Sequence, residues 1–148
     1  MAKSVPHVTA YLCVADAARA IGFYEKAFGA KESMRLSEPS GRVGHAQLQI
    51  GDDVFMLADE FPDFGVRGPR AYGGSPVRMN LQVADADTVV EQAVAAGAKI
   101  VRPVENQFYG ERSGTIEDPF GHVWIVSTHK EDVSVGEMQR RWDAMRKQ

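Results

Sequence analysis

One short string occurs twice in this chain: Val14-Ala-Asp-Ala17 returns as Val83-Ala-Asp-Ala86, and Gly29-Ala-Lys31 returns as Gly97-Ala-Lys99, at nearly constant offset. An Asp in the first string can accept from the free N–H groups of a helix's first turn, and a Gly in the second can take the left-handed conformation that closes a helix. The repeats therefore sit at equivalent structural points, a helix start and a helix end. That marks a duplicated unit rather than common residues recurring by accident.

In the first half, residues 8–14 alternate as a strand, with Thr9, Tyr11 and Cys13 on one face and Val8, Ala10, Leu12 and Val14 on the other. Residues 17–28 follow the cap Asp16 with Ala20, Ile21, Tyr24, Ala27 and Phe28 at helical spacing. Residues 31–36, 44–50 and 54–58 then read as three strands joined by turns at Glu38-Pro-Ser-Gly41 and Gly51-Asp-Asp53. After a Gly- and Pro-rich loop carrying Phe61, Phe64 and Tyr72, the plan restarts with a strand at 77–83 and a helix whose stripe is Val89, Val90, Ala93 and Val94. The stretch from Asn106 to His129, with its tight Asp118-Pro-Phe-Gly121 turn, supplies the last strands. Ser134-Val-Gly-Glu137 has capping-box spacing and opens a final helix with Met138, Trp142 and Met145 on one face, a stripe suited to covering its own domain or, alternatively, a partner. The expected fold is α+β, a single domain over residues 1–148: a first βαβββ unit at 7–60, a linking loop at 61–75, a second βαβββ unit at 76–129 and a C-terminal helix in 130–148.

A formal charge of −3 spread along 148 residues leaves no electrostatic footprint for nucleic acid. No apolar run is long enough to span a bilayer and the N-terminus lacks the apolar core of a signal peptide, so the expectation is a cytoplasmic protein without a membrane partner. The lone Cys13 lies in an apolar run and reads as packing. Nucleophile-elbow, phosphate-loop and zinc-type Cys-pair motifs are missing, which leaves covalent and nucleotide-dependent mechanisms without support.

Two tandem βαβββ units, Ala20-Ile-Gly-Phe-Tyr-Glu-Lys-Ala-Phe-Gly29 in the first helix and Asp118-Pro-Phe-Gly-His122 near the end resemble the vicinal-oxygen-chelate superfamily, which includes glyoxalase I, bleomycin-resistance proteins and extradiol dioxygenases. His45-Ala-Gln-Leu-Gln-Ile-Gly-Asp52, Met56-Leu-Ala-Asp-Glu-Phe-Pro62, Gln107-Phe-Tyr-Gly110 and Thr128-His-Lys-Glu-Asp-Val-Ser134 look like its PhnB-like branch. The resemblance implies two curved half-barrel sheets around a cavity, usually completed by homodimerisation, with metal ligands, where present, on the first and last strands of the two copies. Matching those positions places Thr9 and Arg78 on the first strands and Leu57 and Ile125 on the last, within about a residue of register. None is a good metal ligand, so no metal site of the glyoxalase I kind and no cofactor are expected.

On the faces that the resemblance turns toward a cavity, Thr9, Tyr11, Arg78, Asn80 and Gln82 become hydrogen-bonding groups for an oxygen-rich ligand; the plainer reading is a solvated strand face. His45, with Gln47 and Gln49, forms a similar face, and an imidazole is the side chain that ordinarily titrates near neutral pH, which makes His45 the candidate general base. Gln107, Tyr109, Glu111 and Arg112 stand ready to close over a ligand, unless Glu111 and Arg112 merely pair with each other; Trp124 reads as core, His122 as structural or surface and His129 as exposed. The expected function is binding of a small organic ligand in the cavity of a homodimer, nearer the bleomycin-resistance type than glyoxalase I, with Thr9, Tyr11, His45, Leu57, Arg78, Asn80, Gln107, Tyr109 and Ile125 as contacts. The alternatives are a metal-dependent lyase, isomerase or dioxygenase with a relocated site using His7, His45 and a carboxylate, and an interaction module built on the helix of Trp142.

Overall fold

The computed structural model describes residues 5–147. Strand β1 (Tyr11–Val14) leads into helix α1 (Ala17–Phe28), followed by β2 (Lys31–Ser37), β3 (Val43–Ile50) and β4 (Asp53–Asp59). The second unit repeats the order with β5 (Arg78–Gln82), α2 (Ala86–Ala96), β6 (Lys99–Asn106), β7 (Glu111–Glu117) and β8 (Val123–His129), and α3 (Val135–Arg146) closes the chain. Two four-stranded sheets result, ordered β1-β4-β3-β2 and β5-β8-β7-β6, with one parallel pairing in each, β1 on β4 and β5 on β8. Both stay open, because β1 and β5 pair on one side only.

The duplication extends to the hydrogen bonds that join helix to sheet. Asp16 and Asp85 cap α1 and α2 through the backbone N–H groups of Arg19 and Thr88, and Gly29 and Gly97 end them at positive φ. At the end of β4, Asp59 accepts from the N–H of Ala17 at 2.8 Å and from that of Val43 at 2.7 Å; at the equivalent point of β8, Thr128 Oγ1 accepts from Ala86 at 2.7 Å. Each last strand thus holds the start of its own helix.

Strand β1 is shorter than the alternation at 8–14 predicts. Its register, Tyr11 beside Met56, would set Val8 against Asp53 at the very start of β4, where the turn leaves no ladder to join; Val8 is fully exposed. The linking loop also has local order, with single 3-10 turns at Pro62–Phe64 and Pro69–Tyr72.

One core fills the space between the helix-facing sides of the two sheets and between α1 and α2. Its centre is aromatic: Phe55 of β4 and Trp124 of β8 lie 5.8 Å apart, with Tyr24 and Phe28 of α1 against both or one of them. Such pairs contribute roughly 0.5–1.5 kcal/mol each beyond their area burial. Beneath them lies the buried carboxylate of Asp118, which accepts from the Tyr24 hydroxyl, from Trp124 Nε1 at 3.0 Å and from the backbone N–H groups of Phe120 and His122. The Asp-Pro-Phe-Gly motif is therefore a turn that carries its own anchor into the core, and burial together with Asp118 pushes the Tyr24 phenol well above its usual range. His122 is structural as well, its Nε2 lying 2.9 Å from the Cys13 carbonyl.

Candidate functional site

Because both sheets spend their helix-facing sides on one core, their other faces turn outward. On the first sheet, the register sets Tyr11 beside Met56 and Met56 beside Gln47. Tyr11 reaches diagonally across β4 to His45, its hydroxyl 2.7 Å from Nδ1, and His45 Nε2 lies 3.3 Å from the Gln47 amide. Partial burial, followed by the nearby Cys13, raises the Tyr11 phenol, so the proton stays on the tyrosine oxygen. With the Gln47 amide donating to Nε2, the neutral ring carries its proton on Nδ1 and donates it to the phenol oxygen, which leaves the Tyr11 O–H free for a ligand. Tyr11 remains 52% exposed, within reach of an incoming molecule.

On the second sheet a relay of side chains runs along the open face. Ser127 donates to Asn80 at 3.1 Å, Asn80 to Gln82 at 3.2 Å, and Gln82 to Glu111, whose other oxygen lies 2.8 Å from His129 Nδ1; His129 Nε2 meets Asp132 at 2.8 Å. Hydrogen bonds first from Gln82 and then from His129 hold the Glu111 carboxyl below its usual range, while Asp132 and then Glu111 raise His129. Ile125 sits between Asn80 and Thr115 in register, and Arg78 opens β5 opposite Val123. The β6–β7 turn leans over this face: the Tyr109 hydroxyl is 3.3 Å from Ser113 Oγ, and the Gln107 amide donates to the Ser113 carbonyl at 3.3 Å.

The structure thus joins Tyr11 to His45 on one sheet, and sets Arg78, Asn80 and Ile125 along the open face of the other, with Gln107 and Tyr109 on the β6–β7 turn at the Ser113 end, away from Arg78. Thr9 precedes β1 and stands apart, half-buried. Leu57 is a correction. It is fully buried in the helix-facing core beside Leu12, because the carboxylate of Asp59, two residues on, must point inward to bond Ala17; Met56 and Ala58 take the open face instead. Arg112 is a second correction. Strand alternation sends it to the side opposite Glu111, where it grips Asp87 of α2 with two hydrogen bonds of 2.7 and 3.0 Å. Ser113 and Ser127 share this face, as period two from Glu111 and Ile125 sets them, and both hydrogen-bond residues along it.

A model of the glyoxalase/bleomycin resistance protein/dioxygenase superfamily matches residues 4–126. The chain belongs to this superfamily. An uncharacterized protein of Mycobacterium bovis is 40% identical to it over 137 residues, covering 90% of each chain. Among solved structures, an Arabidopsis thaliana gene product superposes with a TM-score of 0.67 at 30% identity, covering 84% of this chain and 99% of the other. TioX from Micromonospora sp. ML1 does so with 0.65 at 26%, covering 84% and 99%. A PhnB protein from Bacillus cereus shares the fold, with a TM-score of 0.65 at 18% identity over 83% of this chain and 99% of its own.

In metal-dependent members of the superfamily the ligands lie on first and last strands of the two units. Here the paired open-face residues are Tyr11 with Met56 and Asn80 with Ile125, a phenol, a thioether, an amide and an alkyl chain. Lacking both imidazole and carboxylate, this set does not fit a divalent-metal centre of the glyoxalase kind. The imidazoles and the buried carboxylate that could serve a relocated site are committed elsewhere. His7 lies exposed ahead of β1, His45 is bonded to Tyr11, Asp118 is saturated by four donors and His122 is committed to Cys13. Among the described residues no three His, Cys, Asp or Glu side chains converge as metal ligands.

Proposed function

We propose that this protein binds a small organic ligand between the open sheet faces, with the Tyr11–His45 pair as its polar anchor and without a metal centre of the glyoxalase kind. The observation that carries the reading is the 2.7 Å contact between two side chains distant in sequence, on a face the chain leaves uncovered. A phenol donor backed by an imidazole binds an oxygen-bearing ligand directionally and can pass a proton to or from it, as general acid and base do. The opposite wall is the polar face of Arg78, Asn80 and Ile125, flanked by Gln107 and Tyr109. Within one chain these two faces point away from each other, so a homodimer that apposes one protomer's first sheet to its partner's second completes each cavity. The free edges of β1 and β5, whose outer backbone groups have no strand partner, support such an association. The unpaired thiol of Cys13 accords with a cytoplasmic setting.

The test is a thermal-shift screen of small organic acids, alcohols and amides on wild type, Tyr11→Phe and His45→Ala. Compounds that stabilise wild type are expected to bind either variant at least roughly tenfold more weakly, as for loss of a hydrogen bond to a charged or strongly polar group. Equal stabilisation of all three proteins would place the ligand elsewhere and sink the reading.

A further inference from the structure

Next to Tyr11, on the same outward side, the linking loop walls a second cavity of about 430 Å³. Tyr11, Cys13 and His122 line one side of it, and Arg67 and Tyr72 of the loop the other. The loop is built against the sheet rather than draped over it. Gly68 sits so close to β1 that a Cβ there would meet the Cys13 carbonyl oxygen at 3.1 Å, and its N–H donates to Glu60 at 3.3 Å. Pro69 is buried against Gly121, and Arg70 donates to the Pro119 carbonyl at 2.6 Å, tying the loop to the Asp-Pro-Phe-Gly turn. Arg67 and Tyr72 thus flank a pinned segment, which fixes where both side chains start.

Arg67 is the one guanidinium on this wall; the carboxylates of Glu60 and Asp59 act on Cys13 from behind it and do not line the cavity. Among the described residues Arg67 has no carboxylate partner and makes no side-chain hydrogen bond, and no acidic residue lines the wall. His122 spends Nε2 on a backbone carbonyl. The Cys13 thiol stays protonated, since burial, then Glu60 and Asp59, push it up to about 11. Two half-to-largely exposed rings, Tyr11 at 52% and Tyr72 at 68%, supply flat apolar surface beside the free guanidinium. We infer that this cavity is a subsite for the carboxylate-bearing end of a planar organic ligand, with Arg67 holding the anion and Tyr72 and Tyr11 flanking the ring. Such a ligand extends from Arg67 toward His45, and this subsite presupposes ligand binding at the Tyr11–His45 face.

The experiment is calorimetric titration of the full-length protein with benzoate and with its neutral counterpart benzamide. Wild type is expected to prefer benzoate by roughly tenfold or more, the size of a charge-assisted contact. Arg67→Gln should erase that preference, Arg67→Lys should keep part of it, and Tyr72→Ala should weaken both probes together. His45→Ala should weaken the compounds found in the thermal-shift screen while leaving the preference for benzoate intact. Absence of saturable benzoate binding, equal binding of the two probes, or a preference that survives Arg67→Gln overturns the subsite. Screen hits that still depend on Tyr11 and His45 would then show that the main cavity stands without it.

Discussion

Single residues set the electrostatic character of the second sheet's open face. His129 is held between Asp132 and Glu111, and its raised pKa means that it favours the folded state most when charged. That contribution is complete below the ordinary imidazole range, about pH 6.5, and is lost as pH rises through the higher folded value. Glu111 behaves oppositely: its lowered pKa gives stability that is present above the ordinary carboxylate range and lost as pH falls through the folded value. The two contributions overlap between those ranges. His129→Gln is therefore expected to destabilise the protein at about pH 5.5 and to have little effect by about pH 8.5. Urea denaturation of both proteins across pH checks this, and a difference that stays flat would dismiss the ion pair. His129 was legible from sequence as exposed, but its two partners were not, since Glu111 and Asp132 lie on different segments and only strand pairing brings Glu111 opposite it.

At the scale of elements, α3 is fastened to the β6–β7 turn rather than to the core. Trp142 packs on Phe108 with ring centroids 5.7 Å apart, and Arg141 donates to the Phe108 carbonyl at 2.8 Å and pairs with Glu131 at 2.9 Å. Arg140 and Arg141 together bring the Glu137 carboxyl down to about 2, and the Ser134 hydroxyl caps the helix as the capping-box spacing predicts. The hinge of this arrangement is Gly110, at φ +93°, whose carbonyl accepts from both Lys130 and Glu131. A Cβ there would run into the Glu131 carbonyl oxygen and lie 3.0 Å from Val133 Cγ2. Gly110→Ala is expected to cost about 1–3 kcal/mol and to loosen α3 selectively. Hydrogen–deuterium exchange reads this directly: faster exchange confined to residues 106–146 supports it, and unchanged exchange in α3 refutes it. Since Gln107 and Tyr109 ride on the same turn, the helix also positions that flank of the proposed ligand site.

At the scale of the whole molecule, two outward polar faces on either side of one core leave each half of the proposed cavity without a lid. The expected outcome in solution is a dimer, with a mass by light scattering twice that of the 148-residue chain; a monomer at all concentrations would remove the cavity-completing partner. The order of elements was readable from sequence because it depends on local chemistry: Asp caps, left-handed glycines and turns act within a few residues, and the duplication displayed each of them twice. Trp124 in the core and Tyr11, His45, Asn80 and Ile125 on the outer faces followed from period two and from the family resemblance. Leu57 did not, because Phe55-Met-Leu-Ala58 is apolar throughout and alternation has nothing to act on there. Tertiary contacts go with the facing that strand takes: Asp59 bonds the start of α1 and Val43, and Phe55 packs on Tyr24 and Trp124. The same holds for the choice of Asp87 as partner for Arg112, the contact between Tyr11 and His45 across an intervening strand, and the placement of Arg67 and Tyr72 beside them. Local chemistry within the sequence determined the elements and their order; distances closed by folding, between residues far apart in the chain, decided which of their side chains meet.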